Sequence, residues 1–345
     1  MSKSAETLMR QAGRETATRG FKIFREIESE YSGALRMSAD ASRSISNRSR
    51  AERRRVIRSF VFWLVVYFGV HSIRHLKEKH LLAYCQHMEA KPLSAASICS
   101  TLSHLGVLCV HIGKSELLRD HQRYFSDPSV LARSGVTEVE KTLESAGVDF
   151  FDLYHRTHAI SPRVACQFAL AYFFGMRAKE SWCFRAHEAL CDGQLRIYWG
   201  TKGGRRRVIN RPLTEIQIAL LEYAKSMTCK SGSMVDSRTT LQKWKSFYYS
   251  VARQVGLTKK GIGITPHGLR HSYANRAYET ISGRLSPVQG GVLSQTDPDV
   301  DRAVRSLVAE ELGHSRPAIA AAYIGGVGPT DEPHVPPRKD EPDDE

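Results

Sequence analysis

Arg177, Lys202, His267, Arg270, His314 and Tyr323 lie in the last half of the chain, in that order. Two guanidinium groups, an ammonium and two imidazoles could surround one phosphodiester, and a tyrosine hydroxyl is a nucleophile that could attack it. No one of the six is informative alone; order, spacing and local sequence carry the reading. His267 and Arg270 stand in Thr265-Pro266-His267-Gly268-Leu269-Arg270. A capping threonine with proline at the first helical position predicts a helix starting there. His267 and Arg270 then share a face near a helix N-terminus, where an anion is favoured. The same spacing occurs by chance on many helices.

Arg177 follows Gly175, and Glu180 at i+3 could fix its guanidinium fork. Alone, the pair reads equally as a surface ion pair of little energetic worth. Lys202 sits at the tip of a predicted hairpin, where a flexible ammonium could hand over a proton; Arg205, Arg206 and Arg207 beside it suggest simple backbone binding. His314 and Tyr323 are nine residues apart, two and a half helical turns, so one continuous helix would point them to opposite faces. Ser315-Arg316-Pro317 breaks the pattern and restarts a short Ala-rich helix ending at Gly325. Such a helix could carry a tyrosine into and out of a site. Alone, Tyr323 reads as a packing aromatic.

The elements that must position these residues form two groups. Residues 1–45 are polar and basic and read as an extension or arm. Residues 46–127 read as an all-helical unit: Ser46 caps a helix running through Arg53, Arg54 and Arg55 into the apolar run Phe60–Val70, and helical patterns follow over Ile73–Glu89 and Ser94–Ile112. A linker over 128–137 precedes a second unit at 138–325. There Ser161-Pro162 starts a helix that Gly175 ends, QLRIYWG-TKGG-RRRVIN forms a β-hairpin, and Thr214 with Gln217 forms a capping box. Leu241–Val255 is a helix presenting Lys243 and Lys245 to solvent or phosphate. Residues 281–298 are a Gly/Ser/Pro-rich loop, and 326–345 an acidic, proline-rich tail expected to be disordered. The fold class is mainly α with a small hairpin or sheet: a helical domain followed by a mixed α+β domain.

The segments FGMRAKE, GTKGGRRRV, TPHGLRHSYANRAYE and ELGHSRPAIAAAYIG resemble, in order and spacing, the signature boxes of the tyrosine recombinases, the phage-integrase and Xer-like family. The resemblance covers about residues 138–323; the helical 46–127 unit is similar, less specifically, to that family's core-binding domain. It implies that Arg177 and Arg270 clamp the scissile phosphate and that Tyr323 attacks phosphorus, leaving a 3′-phosphotyrosyl link and a free 5′-hydroxyl. Lys202 would protonate the leaving oxygen, His267 would be the general acid/base nearer the tyrosine, His314 would hydrogen-bond a phosphate oxygen, and Glu180 would support from behind. The implied function is site-specific DNA recombination, read as the integrase of a mobile element. Type IB topoisomerase-like relaxation and a catalytically silent DNA-binding protein are the alternatives. Implied partners are double-stranded DNA, a homotetramer on synapsed sites, and accessory DNA-bending or directionality proteins. The implied chemistry calls for no cofactor and no metal. Tyr248, Tyr249 and Tyr273 are rival nucleophiles, but none follows a Gly-His box. The 44 residues from Arg270 to His314 exceed the compact family pattern and point to an insertion in 281–298.

Bulk composition agrees. Net charge is +14, and the last fifteen residues carry −5, so the remainder carries +19. Such an excess favours a polyanionic partner. The contacts expected for DNA are Arg53, Arg54, Arg55, Arg205, Arg206, Arg207, Lys243 and Lys245. Seven scattered cysteines without a C-x-x-C pair fit a reducing compartment. The first residues lack an apolar leader segment, and an eleven-residue apolar run is too short to span a bilayer. A cytoplasmic, nucleoid-associated protein with no membrane contact is expected.

Overall fold

The computed structural model describes residues 13–37, 44–292 and 297–326. They fall into two compact units that divide between Arg133 and Ser134.

The first unit contains α1 (Arg14–Glu30), α2 (Asn47–Phe68), α3 (Glu78–Glu89) and α4 (Ala95–His111). The side chain of Ser46 accepts the Ser49 N–H to start α2, and Gly69 ends it in a left-handed conformation. The apolar run of α2 is buried: Ile57, Phe60, Val61 and Leu64 are at most 1% exposed. They pack with Ile23, Phe24 and Ile27 of α1 in one core. Gly20 permits the close approach, because a Cβ there would lie 2.2 Å from the Phe62 ring. Helix α1 therefore belongs to this unit's core, not to a separate arm; residues 1–12 and 38–43 of the expected extension lie outside the described residues.

The pattern over Ile73–Glu89 splits into a 3-10 turn (Ile73–His75) and α3. The cause is local: His80 Nδ1 accepts the Lys77 N–H at 3.1 Å and caps a fresh helix start. Arg53 departs from its expected role at DNA. It is buried, and its Nη1 donates to the carbonyls of Leu35 (3.0 Å) and Met37 (2.8 Å). Its guanidinium braces the segment between α1 and α2.

The second unit contains α5 (Phe150–Ile160), α6 (Pro162–Phe174), α7 (Ala178–Trp182), α8 (Ala186–Ala189), β1 (Leu190–Cys191), β2 (Gln194–Ile197) and β3 (Arg207–Ile209). These are followed by α9 (Glu215–Met227), α10 (Leu241–Gln254), α11 (Gly268–Ser282), α12 (Pro298–Glu311) and α13 (Ala321–Ile324). Helix α6 is apolar nearly all round and buries Val164, Phe168, Leu170 and Phe174 completely, so it sits at the centre with α11 packed on it. The three strands form an antiparallel sheet in the order β1-β2-β3, with Leu195 opposite Ile209 and Ile197 opposite Arg207. Two residues of β1 are too few to leave an alternation in the sequence, so only the hairpin was legible.

The segment 281–298 is mostly irregular, with a 3-10 turn at Pro287–Gln289; residues 293–296 lie outside the described residues. It is not idle. Ser286 is fully buried and donates to Asn275 Oδ1 at 2.5 Å. Thr137, at the end of the expected linker, donates its N–H to the Ala321 carbonyl at 3.0 Å and so belongs to this unit. Residues 327–345 lie outside the described residues, and with them all but the first residue of the expected tail.

Candidate active site

Gly175 ends α6 with φ +60, and only glycine fits there, because a Cβ would lie 2.5 Å from the Tyr273 ring. Arg177 then becomes the N-cap of α7. Its backbone N–H donates to Glu180 Oε2 at 2.8 Å and its Nη1 to Glu180 Oε1 at 2.5 Å. Glu180 is fully buried, so this is no surface ion pair. Burial works to raise the Glu180 carboxyl, but Arg207, Arg270 and Arg177 together outweigh it and hold its pKa below the usual carboxylate value.

Arg270 lies on the first turn of α11 and is completely buried. Its Nη1 donates to the Gly175 carbonyl and its Nη2 to the Leu312 carbonyl at 2.5 Å. The remaining Nε donates to the Tyr323 hydroxyl at 3.2 Å. His314 leaves α12 after Gly313, and its Nε2 faces three groups: Arg177 Nη2 at 3.2 Å, Arg270 Nη2 at 3.3 Å and the Tyr323 hydroxyl at 3.5 Å. A nitrogen that meets two guanidinium donors serves as an acceptor, which puts the imidazole proton on Nδ1. Burial, then Arg270, Arg177, Arg207 and Lys202, push His314 down to about 4.

Tyr323 is reached by a 3-10 turn at Pro317–Ala320 and the single turn of α13. It is 6% exposed, and its ring packs 4.8 Å from His271 and 5.9 Å from both His267 and His314. Asn275 Nδ2 donates to the Tyr323 carbonyl at 3.2 Å. The tyrosine is thus already docked among the site cations of its own chain.

His267 precedes α11 instead of riding on it. Gly268 N–H donates to the Thr265 carbonyl at 2.7 Å, a tight turn that delays the helix to Gly268. Desolvation by the surrounding atoms, then Arg270 and Arg177, push His267 down to about 4, although it keeps an exposed face. Lys202 stands exposed on the 3-10 turn Lys202–Gly204 at the hairpin tip. Arg205 Nη1 bonds Ser315 Oγ at 2.9 Å and ties that tip to the residue after His314. Arg177, Arg270, His314 and Tyr323 are in direct contact, His267 flanks the tyrosine ring, and Lys202 is at the rim.

A match to the family model described as Integrase covers residues 134–276, a span that includes Arg177, Lys202, His267 and Arg270. Over that span the chain is similar to the integrase family. His314 and Tyr323 lie beyond the matched span, and their place in the site rests on the geometry above. No curated protein sequence matches the chain. Among solved structures it is similar to a lambda integrase (residues 75–356) dimer bound to a COC′ core site, with 18% identity, TM-score 0.51, and 90% of this chain and 99% of that one covered. It is also similar to XerH site-specific recombinase in a post-cleavage complex with difH, with 15% identity, TM-score 0.52, and 95% and 94% covered. A lambda integrase tetramer on a Holliday junction matches with 16% identity, TM-score 0.51, and 89% and 80% covered. At these identities the likeness shows a shared fold.

Three residues of the site were not apparent from the sequence. His271 is buried against the Tyr323 ring, and Asn275 holds the tyrosine backbone. Both sit one helical turn apart in LRHSYAN, so the helical period carried that signal. Arg207 was expected at DNA but is 1% exposed. It pairs across the sheet with Ile197 and shares a face with Ile209, so strand alternation already pointed it inward. Arg205, Arg206, Lys243 and Lys245 are exposed, as DNA contacts must be. Arg54 pairs with Glu28, and Arg55 with Glu52, both at the surface. Of the rival nucleophiles, Tyr248 is completely buried and Tyr273 donates to Glu311 at 2.7 Å. No helix among the described residues is long and apolar enough to cross a membrane.

Proposed function

We propose that Tyr323 is the nucleophile of a site-specific DNA recombinase acting through a 3′-phosphotyrosyl intermediate, as the integrase of a mobile element. The observation that carries this reading is the Tyr323 hydroxyl held between Arg270 Nε and His314 Nε2, with Arg177 facing the same histidine. A phosphodiester entering there meets preorganised donors aimed where charge develops in a pentavalent transition state. Tyr323 oxygen bonds to phosphorus as its proton passes to a neutral imidazole, for which His314 faces the hydroxyl and His267 flanks the ring. The bond from phosphorus to the 5′-oxygen breaks, and Lys202 supplies a proton to that oxygen. A 5′-hydroxyl from another strand then attacks the phosphotyrosine. Because the covalent link retains the bond energy, rejoining needs no nucleotide.

Double-stranded DNA is the substrate, and a homotetramer on two synapsed sites is the working assembly. Both are supported by the positive charge excess and by similar folds bound to DNA, one of them a tetramer. The test is to incubate the purified chain with DNA flanking its own gene and resolve covalent protein–DNA adducts on a denaturing gel. An adduct lost in Tyr323→Phe while DNA binding persists is the expected result. Tight binding with no adduct would overturn it in favour of a silent binding protein, and relaxation of a plasmid lacking a partner site would favour a topoisomerase.

A further inference from the structure

Arg207 makes more polar contacts than its place on a short surface hairpin requires. Its Nη1 donates to Glu180 Oε2 at 2.6 Å and to the Gly175 carbonyl at 3.4 Å. Its Nη2 donates to the Phe174 carbonyl at 2.8 Å and the Glu311 carbonyl at 2.5 Å, and its Nε to the Glu311 carbonyl at 2.8 Å. Phe174 and Gly175 lead into Arg177; Glu311 leads into His314. One planar fork thus sets the register of two segments that deliver site residues. Gly313 leaves room for it: its φ is +69, and a Cβ there would lie 2.4 Å from Arg207 Cγ.

Charge makes the second half of the argument. Arg177, Arg207 and Arg270 converge on one buried carboxylate, Glu180, at 2.5, 2.6 and 3.8 Å. The neighbouring Glu311 carboxylate is engaged elsewhere, by Arg211 at 2.8 Å and Tyr273 at 2.7 Å. Three guanidinium groups against one carboxylate leave a net +2 in the buried set. A phosphodiester carries one negative charge, and its pentavalent transition state with an attacking tyrosinate carries two. Without Arg207, Glu180 would cancel one of the two charges facing the phosphate. The site would still match the bound diester but no longer its transition state.

We infer that Arg207 is a positioning residue that neutralises Glu180, so that Arg177 and Arg270 remain unspent for the transition state. This rests on the recombinase reading above. The test compares the full-length chain with Arg207→Met, Arg207→Lys, Glu180→Gln and the double variant Arg207→Met/Glu180→Gln. The probe is plasmid DNA carrying the sequence that flanks the gene. Adduct formation under single turnover, DNA affinity and Tm are measured for each.

Arg207→Met is expected to slow cleavage by about 10²-fold, the scale of one lost preorganised donor, with little change in DNA affinity. The double variant removes both members of the pair and is expected to regain much of that loss, which a purely structural brace would not allow. Arg207→Lys keeps the charge without the fork and should fall between. A double variant as inactive as Arg207→Met, with both folded by Tm, would overturn the inference, as would wild-type cleavage in Arg207→Met.

A readout independent of activity is the NMR titration of His314, assigned with His314→Gln. Its neighbours Arg270, Arg177, Arg207 and Lys202 all depress its proton affinity, with Tyr323 also against it. Arg207→Met should raise the His314 pKa, and the double variant should bring it back down. An unmoved pKa would overturn the inference. If the wild-type chain forms no Tyr323 adduct, the recombinase reading fails, and this titration still decides whether Arg207 sets the charge of the site.

Discussion

Arg270 Nε donates to the Tyr323 hydroxyl at 3.2 Å from a guanidinium that is itself completely buried. The Tyr323 hydroxyl therefore occupies the Arg270 donor that, on the proposed function, a phosphate oxygen would use. Arg270 is already oriented by the carbonyls of Gly175 and Leu312, which leaves only Nε and part of Nη2 for the substrate. Its pKa is lowered to about 10, chiefly by burial and then by Arg207, so it stays charged at neutral pH. The site is assembled within one chain, and phosphate entry has only to displace hydrogen bonds to a hydroxyl.

Arg270→Ala and Arg177→Ala should both slow cleavage by about 10²-fold or more, the scale for removing a preorganised donor. They should differ in stability. Arg270→Ala leaves the buried Leu312 carbonyl without its donor, at about 1–3 kcal/mol, and leaves the Gly175 carbonyl with only the longer bond from Arg207. The Arg177 side chain is 20% exposed, and Glu180 keeps Arg207, so Arg177→Ala should move Tm far less. Single-turnover cleavage with thermal melting checks both; equal Tm losses would show that Arg177 is as structural as Arg270.

The fold was legible where period and caps agree. Ser46, Ser161 and Thr214 each cap the helix that the sequence assigned to them. Arg177, Arg270, His314 and Tyr323 were legible because their local sequences sit in a fixed order. What failed was the reading of charge as surface. Arg53 and Arg207 look like members of basic runs, yet each satisfies buried carbonyls of distant segments. A long-range partner leaves no local pattern. For Arg207 the strand period held the correct answer, and the run of three arginines masked it. The start of α11 failed differently: Thr265-Pro266 reads as a cap, but the carbonyl of Thr265 is used in a tight turn, which frees His267 to face the tyrosine.

The free protein should lose stability on mild acidification. His267, His271 and His314 are each pushed down to about 4, first of all by burial. An unfolded chain binds those protons at about 6.5. Between the two values the unfolded state holds more protons, so unfolding becomes easier as pH falls from about 6.5 toward 4. Urea midpoints at pH 7, 6 and 5 should fall in that order, and His271→Phe should flatten the fall. Bound DNA adds a negative charge beside His314 and His267 and raises both, so binding should take up protons over the same range. A midpoint that does not move between pH 7 and 5 would show that the fold does not hold these histidines neutral.

Lys202 stands exposed at the rim of the site, and the proposed function gives it late proton delivery to the leaving oxygen. Lys202→Ala should slow cleavage by about 10²-fold, within the range for a lost general acid. A substrate with sulfur in place of the 5′-bridging oxygen expels a thiolate, which needs no proton, so on it the defect should shrink toward wild type. Arg177→Ala should stay impaired on the same substrate. An equal Lys202→Ala defect on oxygen and sulfur substrates would assign Lys202 to phosphate binding instead.

Salt dependence separates the arginines that touch DNA from those that hold the fold. Arg205 and Arg206 are exposed on the hairpin beside the site, Arg205 bonded to Ser315 and Arg206 over the Tyr198 ring at 4.9 Å. If each neutralises one phosphate, replacing either with alanine should reduce the slope of log affinity against log salt by about 0.9. Arg53→Ala should leave that slope unchanged and lower the stability of the first unit, since the carbonyls of Leu35 and Met37 lose their shared donor. The cost is about 1–3 kcal/mol for each buried acceptor left unpaired. Affinities measured from low to moderate salt, paired with melting curves, decide between these roles. A flattened slope in Arg53→Ala with an unchanged Tm would return Arg53 to the DNA surface, and an unchanged slope in Arg205→Ala and Arg206→Ala would take the hairpin away from it.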